Sequence, residues 1–265
     1  MKRILVYVLL IGCMLSGETA LAQGRYVDNG DNTVTDTKTG LMWQKRKGPI
    51  LPQREAARFC SSTRLGGYSD WRLPNMHELL NLVDYSRYGP ALDPLFEIRF
   101  RSNPYWTINS RVDLWDRSWA VSLWTGKTQY FVPRDTSVCV KCVRGTKRPF
   151  KPANRLVILS ENVVRDPSWK FEWLRANYGC GMIVDGKDDW RYPTVGELAT
   201  IIDYTTRHSV IDTDFFAPPT GYIEAKERYA KPAAGNYIWV FGDETGSVFP
   251  SVTGGPITHC VRDSP

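Results

Sequence analysis

Lys2 and Arg3 precede the apolar run Ile4 to Ile11, and a polar stretch then leads to the small residues of Ala20-Leu21-Ala22. A basic start, a short apolar centre and a small-residue end outline an export signal, which predicts a signal peptide over residues 1–22. The run is far shorter than the roughly 20 apolar residues a membrane-spanning helix needs. No later stretch is continuously apolar at that length. Cleavage after Ala22 is the favoured expectation. Leu10-Ile11-Gly12-Cys13 also has the form of a lipobox, which would leave Cys13 lipidated at the mature N-terminus. A lipobox so close to Met1, however, leaves little apolar segment for the export machinery.

Past the signal the apolar positions come in short, alternating groups. Thr33-Val34-Thr35 is a β-type run between the turn clusters Asp28-Asn29-Gly30-Asp31-Asn32 and Thr37-Lys38-Thr39-Gly40, and Leu41-Met42-Trp43 follows as a second strand. The aspartates of the first cluster lack the spacing and terminal glutamate of an EF-hand, so turn formation explains them better than calcium. Gln53 to Cys60 has helical composition, with Ala56, Ala57, Phe59 and Cys60 offering an inward face. A second helix is expected after Pro74, where Asn75 can cap and Glu78 stands three residues on. Thr194 and Glu197 repeat that capping box further along. Beyond Phe96, aromatic, polar and turn residues alternate through Trp106, Trp119, Trp124-Thr125-Gly126 and Tyr130-Phe131 to Cys142-Val143-Arg144. Trp239, Thr245-Gly246 and Cys260-Val261-Arg262 echo this series.

The echo is systematic. Gly67-Tyr68-Ser69-Asp70-Trp71-Arg72-Leu73-Pro74 returns as Gly186-Lys187-Asp188-Asp189-Trp190-Arg191-Tyr192-Pro193, and the match runs without a gap through Glu78-Leu79 against Glu197-Leu198. Asp84-Tyr85 corresponds to Asp203-Tyr204, Asp93 to Asp212 and Phe96 to Phe215. Such agreement points to an internal duplication, and two units of this size mean two domains rather than a solenoid. The expected division is 23–150 and 151–265, at the Lys, Arg and Pro cluster between Lys147 and Ala153. Each unit reads as α+β, with strands first, then two short helices, then an antiparallel sheet, and with its own folded core. The repeated Trp is expected as a core anchor, and the charges that flank it as partners of one another.

The cysteines follow the same division. Cys60 and Cys142 bracket the repeated segment in the first half, and Cys180 and Cys260 do so in the second, which predicts the bridges Cys60–Cys142 and Cys180–Cys260. Cys139 has no counterpart. With Cys142 it has the spacing of a redox motif, yet Val138-Cys139-Val140-Lys141-Cys142-Val143 alternates like a strand rather than opening a helix, so a buried thiol or a bond to a second chain is the simpler expectation.

The pattern from Asp28-Asn29-Gly30-Asp31 through Thr39-Gly40-Leu41-Met42-Trp43, then Gly67 to Pro74, and finally Cys142-Val143-Arg144-Gly145 resembles the Lcl C-terminal domain family, named for the Legionella collagen-like adhesin. The first half matches along nearly its whole length. The second keeps Asp-Trp-Arg, Glu-Leu, Asp-Tyr and the cysteines but lacks the opening Asp-Asn-Gly hairpin, as a degenerate copy would. The resemblance implies two C-type-lectin-like α+β domains, an exported protein, and the glycosaminoglycan binding associated with the founding member. A shared fold does not by itself carry that activity over.

Charge bears on the same question. Residues 23–150 hold 20 Lys+Arg against 12 Asp+Glu, whereas residues 151–265 hold 12 against 15, so the basic character belongs to the first half. Lys45, Arg46 and Lys47, with Arg54 and Arg58 on the following helix, are one candidate patch. Arg99, Arg101, Arg111 and Arg117, beside Trp106 and Trp115, are a second. Guanidinium groups pair bidentately with sulfate, phosphate or carboxylate, and indole faces suit sugar C–H surfaces. The expected partner is an anionic glycan or other polyanion of the envelope or host, with no physiological nucleic acid for an exported chain. A structural or assembly protein of the envelope, binding a protein partner, is the alternative. No cofactor, metal or catalytic residue is expected. His77, His208 and His259 are the only histidines and none pairs at helical metal-ligand spacing. His77, in the first turn of a helix, is expected to be exposed, and the repeated glutamate has a capping role that explains it without catalysis.

Overall fold

The computed structural model describes residues 24–98, 104–110, 116–147, 155–176, 179–205, 211–217, 221–231, 237–242, 247–252 and 259–265. The expected signal peptide, with Cys13, lies outside them, as does the boundary at 150/151.

Three antiparallel strands open the first half: β1 (Tyr26–Asp28), β2 (Thr33–Asp36) and β3 (Leu41–Gln44). The register that pairs Val34 with Trp43 and Asp36 with Leu41 buries Val34, Leu41 and Trp43. In the first turn Gly30 and Asn32 take positive φ, the Asp28 carboxylate accepts from the Gly30 amide at 3.1 Å and the Asp31 carboxylate from the Thr33 amide at 3.0 Å. Both aspartates therefore serve the turn. There follow β4 (Ile50–Leu51), α1 (Gln53–Ser62), α2 (Met76–Leu82), β5 (Tyr105–Ser110), β6 (Arg117–Val121), β7 (Thr128–Pro133), β8 (Val138–Cys139) and β9 (Val143–Arg144). Strand β9 returns to β3, closing a sheet of order β1-β2-β3-β9, and a second sheet has the order β4-β8-β5-β6-β7. On α1 the buried face is Gln53, Ala56 and Cys60, with Ala57 and Phe59 only partly covered.

The second half comprises β10 (Val157–Ile158), β11 (Val163–Asp166), β12 (Phe171–Leu174), α3 (Val195–Ile201), β13 (Ile223–Arg228), β14 (Ile238–Phe241), β15 (Val248–Ser251) and β16 (Val261–Asp263). Its sheet β10-β11-β12-β16 repeats the order of β1-β2-β3-β9, and β13-β14-β15 repeats β5-β6-β7. Two expectations need correction. The opening hairpin of this half is present, closed by Ser160 and Asn162 in place of the Asp-Asn-Gly turn; the Ser160 hydroxyl accepts from the amides of Asn162 and Val163 at 3.1 and 3.0 Å. At its second turn Lys170 holds φ +58° where the first half has Gly40 at φ +70°, a conformation glycine adopts without steric cost. Among the described residues this half also has one helix, not two. Leu174 is followed so soon by Cys180 that no room remains for the counterparts of β4 and α1.

Both disulfides form as expected, Cys60–Cys142 and Cys180–Cys260, each with its Cα atoms 5.5 Å apart. Cys139 is buried in β8, opposite Ile50, and belongs to neither bond. Its strand setting removes the helix N-terminus that a redox motif uses.

Helices α2 and α3 bring the halves together. His77, at the start of α2, donates from Nε2 to the Ile202 carbonyl beyond the end of α3 at 2.9 Å. Asn81, near the end of α2, donates to the Gly196 carbonyl at the start of α3 at 3.0 Å. The helices thus pack antiparallel, closely enough that a Cβ on Gly196 would lie 2.7 Å from the Asn81 Oδ1. The exchange is reciprocal around them. Tyr85 of the first half sits edge-on to Trp239 of the second at 4.9 Å, and Tyr204 of the second sits edge-on to Trp119 of the first at 5.2 Å. One continuous cluster of buried side chains runs from Val34 and Trp43 through Leu79, Trp119, Leu198 and Tyr204 to Trp239 and Val261. The expectation of two separately cored units is corrected by this cluster. What each half keeps for itself is a smaller group around its own disulfide, with Trp71 and Trp106 in one and Trp190 in the other.

Candidate functional site

Both capping boxes are complete, with Asn75 and Glu78 on α2 and Thr194 and Glu197 on α3. The same glutamates carry a second load. Arg72 clasps Glu78 through two bonds of 2.7 and 2.6 Å, and Arg191 clasps Glu197 through two of 2.9 Å. The aspartate of each Asp-Trp-Arg pairs elsewhere than expected: Asp70 accepts from Arg144 at 2.7 Å and Asp189 from Arg262 at 2.7 Å, linking the segment to the strand that follows the last cysteine. The indoles of Trp71 and Trp190 are buried, as anchors. The repeated motif is a girder between the helix, the disulfide and the closing strand.

A further pair repeats that the sequence reading passed over. Arg25 makes two bonds to Asp36, at 3.0 and 2.7 Å, and one to the Asn81 carbonyl at 2.8 Å. Arg155 likewise pairs with the fully buried Asp166 and reaches the Thr200 carbonyl. Each arginine thereby ties a hairpin turn to the end of the helix in its own half. The matching spacing of Arg25 to Asp36 and Arg155 to Asp166 was a usable signal.

The expected basic residues divide into three groups. Arg46 and Lys47, on the loop after β3, and Arg54 and Arg58, one turn apart on α1, are exposed and make no ion pair. Lys45 is half-buried and bonded to Asp28 at 2.5 Å, and Arg117 is half-buried beside Asp116 at 3.3 Å. Trp106 is a correction: it is completely buried and donates its indole N–H to the Leu51 carbonyl at 2.8 Å, so it offers no face to a ligand. Arg99, Arg101, Arg111 and Trp115 lie outside the described residues. Beneath the loop, the wholly buried Lys141 donates to the carbonyls of Gln44 and Lys45 at 2.9 and 3.3 Å, which braces the approach to Arg46 and Lys47. Burial lowers its ammonium to about 7, against the opposing pull of Glu97.

In the second half several cations are committed to carboxylates, while Lys170, Lys226 and Lys231 are exposed without an ion pair. Arg165, Lys187 and Arg262 converge on one buried carboxylate, Glu172, at 2.6, 2.8 and 2.7 Å. Burial alone would raise the pKa of Glu172, but those three donors outweigh it and hold the carboxyl at about 2.

His77 is the last correction, since it is fully buried against α3 rather than exposed. Desolvation, helped by the charge of Arg155, lowers its ring to about 3, and desolvation lowers the buried His259 to about 4. His208 lies outside the described residues. Among the described residues no group of three His, Cys, Asp or Glu side chains is placed to hold a metal ion.

A cavity of about 360 Å³ opens where the halves meet, lined by Arg25, Tyr26, Asp84, Tyr85 and Asp93 on one side and Glu227 on the other. The buried hydroxyls of Tyr26 and Tyr85 have no hydrogen-bond partner. Glu227 accepts from the Val195 amide at 3.0 Å, and desolvation lifts its carboxyl to about 7.

These features define a disulfide-stapled α+β module in which the repeated acids and arginines hold the architecture. Residues 32–144 match the family model of the Lcl C-terminal domain. The match points, at the level of that family, to an adhesin-like binding module, and the two disulfides fit a place outside the cytoplasm. No described helix is long and apolar enough to cross a membrane. No curated protein matches the chain.

Proposed function

We propose that the chain is an exported, non-catalytic recognition protein that grips anionic glycans or other polyanions of the envelope or host through its basic first half. The second half is then a degenerate copy of the same C-type-lectin-like unit, retained as a docked partner. The supporting observation is a run of exposed, unpaired cations close together in the sequence of the first half, although Lys170, Lys226 and Lys231 of the second half are exposed without an ion pair as well. Arg46, Lys47, Arg54 and Arg58 stand exposed without acidic partners, while Arg155, Arg165, Lys187, Arg191 and Arg262 are all bound to carboxylates. A free guanidinium or ammonium can exchange water and counterions for sulfate or phosphate, whereas a committed one must first break a bond. The equivalent order of strands, the two girders and the paired capping boxes support the duplication.

Retention of the mature chain on immobilised heparin tests the proposal. Wild type is expected to bind at low salt and to elute as salt rises. A variant with Arg46, Lys47, Arg54 and Arg58 all changed to Gln is expected to bind roughly tenfold or more weakly, at about 0.5 kcal/mol for each exposed charge lost. A wild-type chain that passes through at low salt would remove the proposal. The second reading, an envelope assembly protein, draws on the exposed apolar residues Val157, Ile158, Leu159, Met182 and Ile183 of the second half. A stable complex recovered by crosslinking, together with no polyanion affinity, would favour it.

A further inference from the structure

We propose that the cleft beside the first turn of α1 binds one sugar unit that carries a carboxylate, the chemistry of a uronic acid. The inference rests on the reading of the first half as a glycan-recognising module and names the unit it takes. The cleft has a volume of about 580 Å³, within the range that encloses small ligands. It is lined by the opening turn of α1, the end of β5 and the turn after β7, all in the first half.

The side chain of Gln53 is the feature that points to a ligand. It is 7% exposed, and its Nε2 donates to the Thr107 carbonyl at 2.8 Å, which fixes the amide in place. Its backbone N–H is held as well, by the Arg134 carbonyl at 2.9 Å. The Oε1 accepts from no described group, yet it is not among the polar atoms that the protein encloses, so it opens onto the cleft that Gln53 lines. A buried amide held still, with its acceptor turned to a cleft, suits a hydroxyl donor.

The surrounding groups add the negative charge. Helix α1 has 10 residues and no side-chain cap at Pro52, and the amides of Arg54 and Glu55 meet no acceptor among the described residues, so the positive end of the helix is open toward the cleft. Arg134 is braced for a carboxylate. Its amide donates to the Asp116 carbonyl at 2.9 Å and its Nε to the Ser118 hydroxyl at 3.2 Å, which leaves the two terminal nitrogens of the guanidinium without a described partner. Arg54 is exposed and makes no ion pair. Glu55 and Asp135, also on the lining, are exposed and pair with neither arginine. Acids beside the arginines disfavour a bare sulfate or phosphate, whereas a hydroxylated carboxylate uses both, its charge on the arginines and its hydroxyls on the acids. Ile108, 41% exposed although it lies within β5, gives the C–H face of a sugar ring an apolar surface.

Titration calorimetry of the chain with both disulfides intact, near pH 7, with glucuronate as probe and glucose and glucosamine as matched controls, tests this. Glucuronate is expected to bind saturably and roughly tenfold or more tightly than either control, in line with hydrogen bonds to a charged group. Arg134→Gln is expected to remove most of that preference. Ile108→Ser, at an exposed position, is expected to weaken glucuronate about fivefold through lost apolar contact and to leave the urea midpoint unchanged, so the test does not depend on how well Arg134→Gln folds. Arg46→Gln combined with Lys47→Gln, outside the cleft, should weaken heparin retention and bind glucuronate like wild type. A chain retained on heparin that does not bind glucuronate would lose this site and keep the polyanion reading; one that binds glucuronate but passes through heparin would do the reverse. Absence of saturable binding, equal binding of glucose, or full affinity in both cleft variants would overturn the assignment.

Discussion

Changing Trp239 to Ala is expected to cost about 3 kcal/mol of stability and to loosen both halves together, although the residue belongs to the second. Its indole is 1% exposed and lies between Tyr229 at 5.1 Å and Tyr85 of the other half at 4.9 Å. Gly126, in the Trp-Thr-Gly turn of the first half, fits beneath it: a Cβ there would approach the ring to 3.0 Å, and φ is +80° besides. Truncating a buried tryptophan typically removes about 3–5 kcal/mol, of which roughly 1 kcal/mol is regained here because the indole N–H has no partner to lose. With one shared core the loss cannot be confined. The urea midpoint, followed by amide exchange in β2 and in β11, should fall in both strands; a fall in β11 alone would contradict the shared core. Trp119→Ala, the reciprocal change, should act alike.

Acid is expected to cost the fold about 5 kcal/mol between pH 6.5 and pH 4.5. His77 and His259 titrate near 6.5 in an unfolded chain but only at about 3 and about 4 in the folded one, because burial desolvates both rings. As pH falls below 6.5 the unfolded state therefore takes up protons that the folded state refuses. Stability is fully present above 6.5 and declines by about 1.4 kcal/mol per pH unit for each ring. Glu227 opposes the trend, since its raised carboxyl penalises the fold above its unfolded value and relaxes as pH drops. Being partly exposed, it counts for less. His77→Gln keeps a donor for the Ile202 carbonyl and should make the acid limb shallower by one proton. Equilibrium unfolding at a series of pH values would show this, and a flat profile from pH 7 to 4.5 would contradict it.

The sequence announced what local chemistry determines. Disulfide partners, capping boxes and the buried Trp71 and Trp190 all follow from spacing and residue type. What it did not announce depends on where a face points. Trp106 reads as a ligand platform when set among polar neighbours, but β5 is covered on both sides: Tyr105 enters the common core and Trp106 the cluster under α1. A polar residue in the first turn of a helix is ordinarily exposed, and only the arrival of α3 from the other half buries His77. The second opening hairpin was hidden because its turns use Ser160 and Lys170 where the first half uses Gly30 and Gly40. The ion pair beneath it, Arg155 with Asp166, was the better mark. The free basic residues were legible as charge, but their lack of partners needed the fold.

Scanning calorimetry of the chain with both disulfides intact addresses the shared core, on which the cavity between the halves and the docking of the second half depend. A single transition is expected, with the van't Hoff enthalpy equal to the calorimetric one. Two resolved transitions, one for each half, would contradict it.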